Sequence, residues 1–441
     1  MKVRPKIFLL FLFLVSMAVF SLAHSQNKFK LKPGATGELC LNCHDKFSEK
    51  LKSPFVHTPV KNGECSECHN PHTSSHGKLL GDDPNKACLK CHEAVVPEKA
   101  KSSHKIVAEG NCVGCHDPHA SNHKANLLKA GNDLCLSCHK ELGVAITKIK
   151  FKHSPVAKGC LNCHDPHGSA KADHLLKNDL VALCAQCHKP DSPSFAKQHM
   201  AYPVGKSDCS SCHNAHGSNQ EGILFDNVHA PVTKGGCTQC HDAATSATPF
   251  KTKRAGYELC RGCHSSMMSD ALNKNRIHWP IVDKVGCLNC HKPHASKEEK
   301  LLLGDSKSLC GKCHSDTMKL QVKLAEREKQ ENAAAKGKVI KGALTHLPIR
   351  EGNCEACHAS HASESTFLLK QSSIVKLCEN CHDWSKHSNH PMGEKVSDSR
   401  NKNLTMQCLS CHASHGTGYR YLIPFPTVTD LCVQCHKDYK R

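Results

Sequence analysis

Residues 57–92 read HTPVKNGECSECHNPHTSSHGKLLGDDPNKACLKCH, and most of the chain beyond residue 40 is a variation on that stretch. It holds two CxxCH motifs, Cys65/Cys68/His69 and Cys88/Cys91/His92, with His57 and His72 close by. CxxCH is the signature of covalent c-type heme attachment: the two thiols form thioethers with the heme vinyl groups, and the adjacent imidazole is placed to bind iron. The stretch therefore offers two attachment sites and two spare imidazoles, enough to put histidine on both faces of two irons.

The whole chain follows suit. Its 441 residues include 32 cysteines and 36 histidines but only 5% aromatic residues. Length alone suggests two or three domains, yet bulky side chains are too sparse to fill their cores. Every cysteine falls in a CxxCH motif: Cys40 and Cys43, Cys65 and Cys68, Cys88 and Cys91, Cys112 and Cys115, Cys135 and Cys138, Cys160 and Cys163, Cys184 and Cys187, Cys209 and Cys212, Cys237 and Cys240, Cys260 and Cys263, Cys287 and Cys290, Cys310 and Cys313, Cys354 and Cys357, Cys378 and Cys381, Cys408 and Cys411, Cys432 and Cys435. Zinc knuckles and disulfide scaffolds also use dense cysteine. Neither explains why each second cysteine is followed by histidine. Sixteen covalent heme c groups are expected, with proximal ligands His44, His69, His92, His116, His139, His164, His188, His213, His241, His264, His291, His314, His358, His382, His412 and His436.

The N-terminus fits export. Lys2, Arg4 and Lys6 precede an apolar run from Ile7 to Leu22, and Ser21-Leu22-Ala23 suits cleavage, so residues 1–23 read as a signal peptide. The alternative is an uncleaved anchor, for which the run is short. No later run is long enough to span a bilayer, so a mature chain without a transmembrane segment is expected. The formal charge of +19 does not mark a nucleic-acid binder: two propionates per heme would more than offset it, and the lysines lack an aromatic platform for bases.

Two kinds of motif alternate. Type A motifs (Cys65, Cys112, Cys160, Cys209, Cys237, Cys287, Cys354, Cys408) follow a histidine, usually in an HxPV-like context; type B motifs usually follow leucine, as at Leu39-Cys40. From A to the following B the spacing is always 23 or 24 residues, while B to A varies from 24 to 44. Cys209 and Cys237 are both type A, with no B between them. Two eight-heme lobes are therefore expected, residues 24–220 and 221–441, divided at the turn-rich GSNQEG. The longest joint carries a charged helical insert at about 315–340, which reads as an exposed spacer helix capped by Ser315 or Asp316 and ended at Gly337; its apolar stripe (Met318, Leu320, Val322, Leu324) is weak. Elsewhere the expectation is irregular coil with short α-helices carrying the motifs, elongated around a heme chain, with little or no β-sheet.

Distal ligands must come from the remaining histidines. His72, His119, His167, His216, His294, His361 and His415 sit three residues beyond an A motif, too close to their own proximal histidine to reach the opposite face of that heme, so each should serve a neighbour. His57, His104, His153, His199, His229, His278, His346 and His390 lie upstream of A motifs, and prolines such as Pro59 and Pro155 fix an extended or turned entry. These fifteen leave one iron unserved. The ninth motif, reading HDAATSATPF from His241, has no downstream histidine, so the gap is expected there. His76, His123, His174 and His387 remain, each also readable as an ordinary surface histidine; His387 is taken as the sixteenth.

The repeated H-x-P-V, CxxCHxPH, LCxxCH arrangement resembles the doubled CXXCH motif family of multiheme cytochromes c, including periplasmic decaheme cytochromes that dock into outer-membrane porins. The resemblance spans about residues 38–437 and implies bis-histidine hemes packed into an electron-transfer wire. The sixteen motifs, the A–A junction and the charged insert depart from the decaheme pattern.

The leading reading is a non-enzymatic electron carrier, exported to the periplasm or associated with the outer membrane or exterior, with redox proteins, a porin or metal oxide as partners. A multiheme reductase of small nitrogen or sulfur compounds would need one open iron, and the ninth motif is its one candidate. A structural array or filament is the third reading.

Overall fold

The computed structural model describes residues 37–439 except 94, 336, 337, 339, 384–389 and 394. The signal-peptide segment, Gly337 and His387 lie outside the described residues.

Each CxxCH motif is one helical turn. The amide of His69 bonds to the carbonyl of Cys65 at 3.0 Å, and the same first-cysteine-to-histidine bond recurs at His92, His116, His139 and onward. That turn brings both thiols and the imidazole to one side. A and B motifs differ in how the turn is made. A motifs occupy isolated 3₁₀ turns such as Cys65–Glu67, Cys112–Gly114 and Cys160–Asn162. Most B motifs lie on α-helices such as Gly131–Leu136, Leu180–Ala185, Ser306–Gly311 and Ile374–Glu379. Several B helices have side-chain N-caps: Asp179 accepts from the amide of Ala182, Asp305 from Ser308, and Thr427 from Asp430 within a capping box.

Six upstream histidines, His57, His104, His153, His229, His278 and His346, stand at the entry to short helical turns. His57 is extended (φ −60°, ψ 133°) before Thr58–Lys61, and a proline occupies the first turn there and after His153, His229, His278 and His346. Just before each of five upstream histidines, two residues pair antiparallel with two residues after a downstream histidine far along the chain. Phe55–Val56 pairs with Ala120–Ser121, Ser102–Ser103 with Gly168–Ser169, and Phe151–Lys152 with Gly217–Ser218. Asn227–Val228 pairs with Ala295–Ser296 and Arg276–Ile277 with Ala362–Ser363. The remaining described sheet is the hairpin Ser397–Asp398 with Asn401–Thr405.

The residue entering each of these five joints is Ala or Gly, and at four of them there is little room for more. Ala120 and Ala295 are 2% and 0% exposed, and a Cβ on Gly217 would lie 2.5 Å from Ile149 Cδ1. Buried aliphatic matter is otherwise scarce: Met268, Ile281, Leu324, Leu344, Leu377 and Ile423 are among the few buried hydrophobic side chains of the described residues.

The insert forms the helix Ser315–Ala334. His314 stands at its N-cap position rather than Ser315 or Asp316, with no side-chain cap bond. Part of this helix is packed rather than exposed. Leu324 and Gln321 are buried, while Val322 faces solvent. Gln321 Nε2 donates to the carbonyl of His415, and Arg420 pairs with Glu328 and Glu331. Polar anchors hold it, which is why the apolar stripe alone misjudges it.

By backbone contacts the described chain falls into two compact units. One comprises the residues up to Ser192 with Val204–Ser210 and Asn214–Ile223; the other comprises Pro193–Pro203, Ser211–His213 and the residues from Leu224 onward. No helix among the described residues is long and apolar enough to cross a membrane.

Candidate heme sites

Proximal imidazoles of A motifs are oriented by the chain just downstream. His69 Nδ1 lies 2.9 Å from the carbonyl oxygen of Lys78. Equivalent contacts join His116 to Ala125, His164 to His174, His241 to Phe250, His291 to Lys300, His358 to Phe367 and His412 to Tyr421, at 2.7–2.9 Å. In all but the His241 contact the accepting residue and its successor are both left-handed, as at Lys78 and Leu79 (φ 59° and 55°) or Phe367 and Leu368 (φ 56° and 55°). None of these acceptors is glycine, so each of the six left-handed turns holds about 1 kcal/mol or more of strain per residue to aim its carbonyl.

The structure then sets a second imidazole opposite the first. Ring centroids are 6.0 Å apart in His69–His119, 6.1 Å in His116–His167, 6.2 Å in His164–His216, 6.0 Å in His241–His294, 6.2 Å in His291–His361 and 6.0 Å in His358–His415. Here each downstream histidine faces the proximal histidine of the preceding A motif. Upstream histidines face the following B motif instead: His57–His92 at 5.9 Å, His104–His139 at 6.1 Å, His153–His188 at 6.0 Å and His229–His264 at 6.1 Å. His278–His314 at 6.3 Å, His346–His382 at 5.9 Å and His390–His436 at 6.0 Å complete that set.

In the B-motif pairs the anchored ring is commonly the upstream one. His57 Nδ1 is 3.0 Å from the carbonyl oxygen of Pro118, His104 is 3.1 Å from that of Pro166, and His153, His229 and His278 are each 2.9 Å from Ala215, Pro293 and Ser360. Most pairs thus have one ring whose Nδ1–H is donated to a backbone carbonyl, which leaves Nε2 as the metal-facing lone pair. The downstream rings are kept neutral differently. Burial, with neighbouring imidazoles adding to it, lowers the pKa of His119, His167, His216, His294, His361 and His415. Neutral imidazole is the form that binds metal.

The A–A junction breaks the rule. His213, proximal in the eighth motif, has no downstream histidine at the ninth motif to face it. It faces His199 instead, at 6.2 Å with the rings crossed at 68°. The histidine missing after the ninth motif therefore leaves its mark at the eighth, while His241 of the ninth is faced by His294. The expected gap at His241 is not present in the structure. The reason is that downstream histidines reach backward along the chain.

These pairs include every proximal candidate except His44 and His412, and every distal candidate except His72 and His387. His76, His123 and His174 are in none of them. The backbone amides of His76 and His123 bond to Ser74 and Ser121, and the carbonyl of His174 accepts from His164, so these three shape turns.

Consecutive motifs also meet through their cysteines, none of which is in a disulfide. Cys88 lies beside Cys112, and burial together with that neighbour pushes its thiol up to about 11. Cys135 and Cys160, Cys184 and Cys209, Cys310 and Cys354, and Cys378 and Cys408 make the same contact. It joins the first cysteine of a B motif to the first cysteine of the next A motif.

Second cysteines are placed differently. That of an A motif stands beside that of the following B motif: burial raises the pKa of Cys68, and Cys91 raises it further. Cys138, Cys187, Cys313 and Cys381 add in the same way to the effect of burial on Cys115, Cys163, Cys290 and Cys357, and Cys435 adds to it at Cys411, where Arg400 opposes it. Cys260, raised chiefly by its hydrogen bond to Cys287 and by burial, also feels Cys240. The two thiols of a B motif are not equally enclosed. Cys43, Cys91, Cys138, Cys187, Cys263, Cys313 and Cys381 are exposed although the first cysteine of each of those motifs is half-buried. The last B motif reverses this, with Cys432 exposed and Cys435 half-buried, whereas Cys212 and Cys240 of the two adjoining A motifs are half-buried like their first cysteines. The spacing of the two thiols is common to the motifs, while their burial differs. The reason is that first cysteines pack against the neighbouring motif, while most second cysteines of B motifs lie on the open side of the turn.

The donor sets fit iron held between two imidazoles. A metal–nitrogen bond of about 2 Å on each side, plus half a ring at each end, gives about 6 Å between ring centres. Among the described residues no cluster of three or more His, Cys, Asp or Glu is arranged as a metal site, which sets these pairs apart from zinc knuckles. Paired thiols followed by an opposed imidazole pair, repeated along the chain, define a multiheme c-type cytochrome, a protein of electron transport.

The chain belongs to the doubled CXXCH motif family, whose profile matches residues 57–96, 104–144, 153–193, 202–228, 229–269, 278–319, 346–387 and 402–441. Multiheme cytochrome MtrA of Shewanella baltica is 31% identical over 162 residues, covering 33% of this chain and 47% of that protein. The chain thus spans about half the length of the curated relative it matches.

Proposed function

We propose that this cytochrome carries electrons along sixteen bis-histidine hemes, from a periplasmic donor to an outer-membrane or extracellular acceptor. The observation that carries the reading is the recurrence of imidazole pairs about 6 Å apart, with the cysteines of successive motifs in contact. In this reading the thirty-two cysteines are attachment points, and each described pair is one iron's axial set. By the same backward reach, His72 serves the first motif's His44. His387, a few residues before His390, serves His412, the last A motif, which has no successor.

Bound heme supplies a reversible one-electron iron couple. The protein's part is to close both axial positions, so that no substrate site is left at the iron, and to hold neighbouring sites close. The sequence's opening for a reductase was at His241, and His294 faces it, which favours the carrier over the reductase reading. Export, an eight-and-eight division of the hemes and docking with an outer-membrane porin belong to the same proposal.

Intact mass of the purified protein tests the count. Sixteen heme increments on the mature polypeptide are expected, and fewer would overturn it. Fractionation then tests the partner: co-purification with an outer-membrane porin is expected, and recovery solely as a free periplasmic protein would remove the conduit part.

A further inference from the structure

The pair His199–His213 stands apart by more than its place in the chain. Its rings cross at 68°. The other described pairs lie between 15° and 36°, apart from His390–His436 at 53°. His199 enters from the end of the helix Pro193–Gln198 rather than from a strand-paired segment. Its Nδ1 is 2.9 Å from the carbonyl oxygen of Phe195, one turn back, and the Phe195 ring lies against it at 4.2 Å. Met200 and Ala201 follow in left-handed conformation (φ 52° and 60°). Tyr202, buried, closes the segment by donating its hydroxyl to the carbonyl of Asp242 at 2.6 Å. The imidazole plane is therefore clamped, by a carbonyl at Nδ1 and by an aromatic ring against its face.

The plane matters because an imidazole donates π electrons into the iron d orbital perpendicular to its ring. Parallel rings feed one orbital and split the pair. Crossed rings feed both and leave them nearly degenerate, which raises the largest g value of low-spin ferric iron and weakens stabilisation of the ferric state.

We propose that Phe195 is a positioning residue that holds His199 crossed to His213, making the eighth heme site magnetically distinct and more easily reduced than its near-parallel neighbours. This rests on the bis-histidine reading above. Absence of low-spin ferric signals would break that reading, whereas low-spin signals without a large-g component would break only this one.

The test is electron paramagnetic resonance of the oxidised full-length holoprotein, with heme content checked by intact mass. The wild type is expected to show a large-g low-spin component beside the rhombic signals. Phe195→Ala should move one heme's worth of that component into the rhombic envelope at unchanged heme content. On stepwise reduction, part of the wild-type large-g component should vanish before the rhombic signals do. An unchanged large-g component in a fully loaded Phe195→Ala protein overturns the proposal. Should that variant not accumulate, the wild type decides: no large-g component, or its loss in step with the rhombic signals, is equally fatal.

Discussion

The backbone amide of His57 donates to the carbonyl of His119 at 2.8 Å, although the two imidazoles face different partners, His92 and His69. The same bond joins His104 to His167, His229 to His294 and His278 to His361. Each of these four joints therefore ties the histidines that face two neighbouring motifs into one piece of backbone. A disturbance at one iron should be felt at the next through main chain, with no flexible side chain between.

Coupling through main chain can be tested at the fifth and tightest joint, where Phe151–Lys152 pairs with Gly217–Ser218. Gly217 has φ +116°, and a Cβ there would meet Ile149 Cδ1 at 2.5 Å and the Phe151 carbonyl at 2.6 Å. Gly217→Val should cost about 3 kcal/mol from strain and overpacking. It should lower the guanidinium unfolding midpoint and perturb both sites flanking the joint, those of His164 and His188. A change confined to one heme's spectrum would count against the shared backbone.

Removal of one distal imidazole should open one iron. His294→Ala takes away the ring facing His241, and the ferric protein should gain one heme's worth of high-spin signal over a wild type that is low-spin throughout. If the ninth site were already open, the wild type would show that signal and the variant would add nothing.

Phe367 offers a gain rather than a loss. It is 84% exposed and left-handed (φ 56°), so its side chain contributes little packing while its Cβ strains the turn. Phe367→Gly should stabilise by about 0.5–1 kcal/mol after the entropy of a freer unfolded chain is counted. Soret and near-ultraviolet melts would record it, at unchanged heme content because the carbonyl facing His358 is kept.

Acid sensitivity should appear at Asp398. Paired with Arg400 through two contacts and buried, its carboxyl is held well below the usual carboxylate range by that guanidinium, against the opposing effect of burial. A depressed folded-state pKa means the stabilisation is fully present above the unfolded value of about 3.9 and is lost as pH falls from there toward the folded value. The stability difference between wild type and Asp398→Asn should be constant from pH 5 to 7 by this logic and shrink below about pH 4. A difference that grew on acidification would contradict the assignment.

Much of this molecule is legible in its sequence because covalent chemistry writes itself as CxxCH. The A and B classes, drawn from flanking residues, correspond to two ways of building the motif turn: bare 3₁₀ at Cys65–Glu67, capped α-helix at Ser306–Gly311. What could not be read was which distal histidine faces which proximal one. That choice is made by pairs such as Phe55–Val56 with Ala120–Ser121. They are two residues long, too short for side-chain alternation to register, and the partners stand far apart in the chain. A signal was present in the small residue and serine after His119, His167, His216, His294 and His361, where space for a neighbouring backbone is needed. The turns at Lys78–Leu79 and Phe367–Leu368 were hidden for the opposite reason: neither residue type advertises a left-handed backbone.

The bare tail of the ninth motif acquires a different meaning once downstream histidines are seen to reach backward. A motif that begins a run has no earlier A motif in that run to face, so it needs no histidine there, and His199 already faces His213 of the eighth. Inside a run, each added A–B module brings one imidazole for its own B and one for the A before it, and leaves its own A to the module that follows. Such an array can grow two hemes at a time with its ligand count always in balance, whereas a single inserted heme would orphan an iron. The residues from Asp242 to Phe250 then act as punctuation, marking where one run of facing imidazoles stops and another starts.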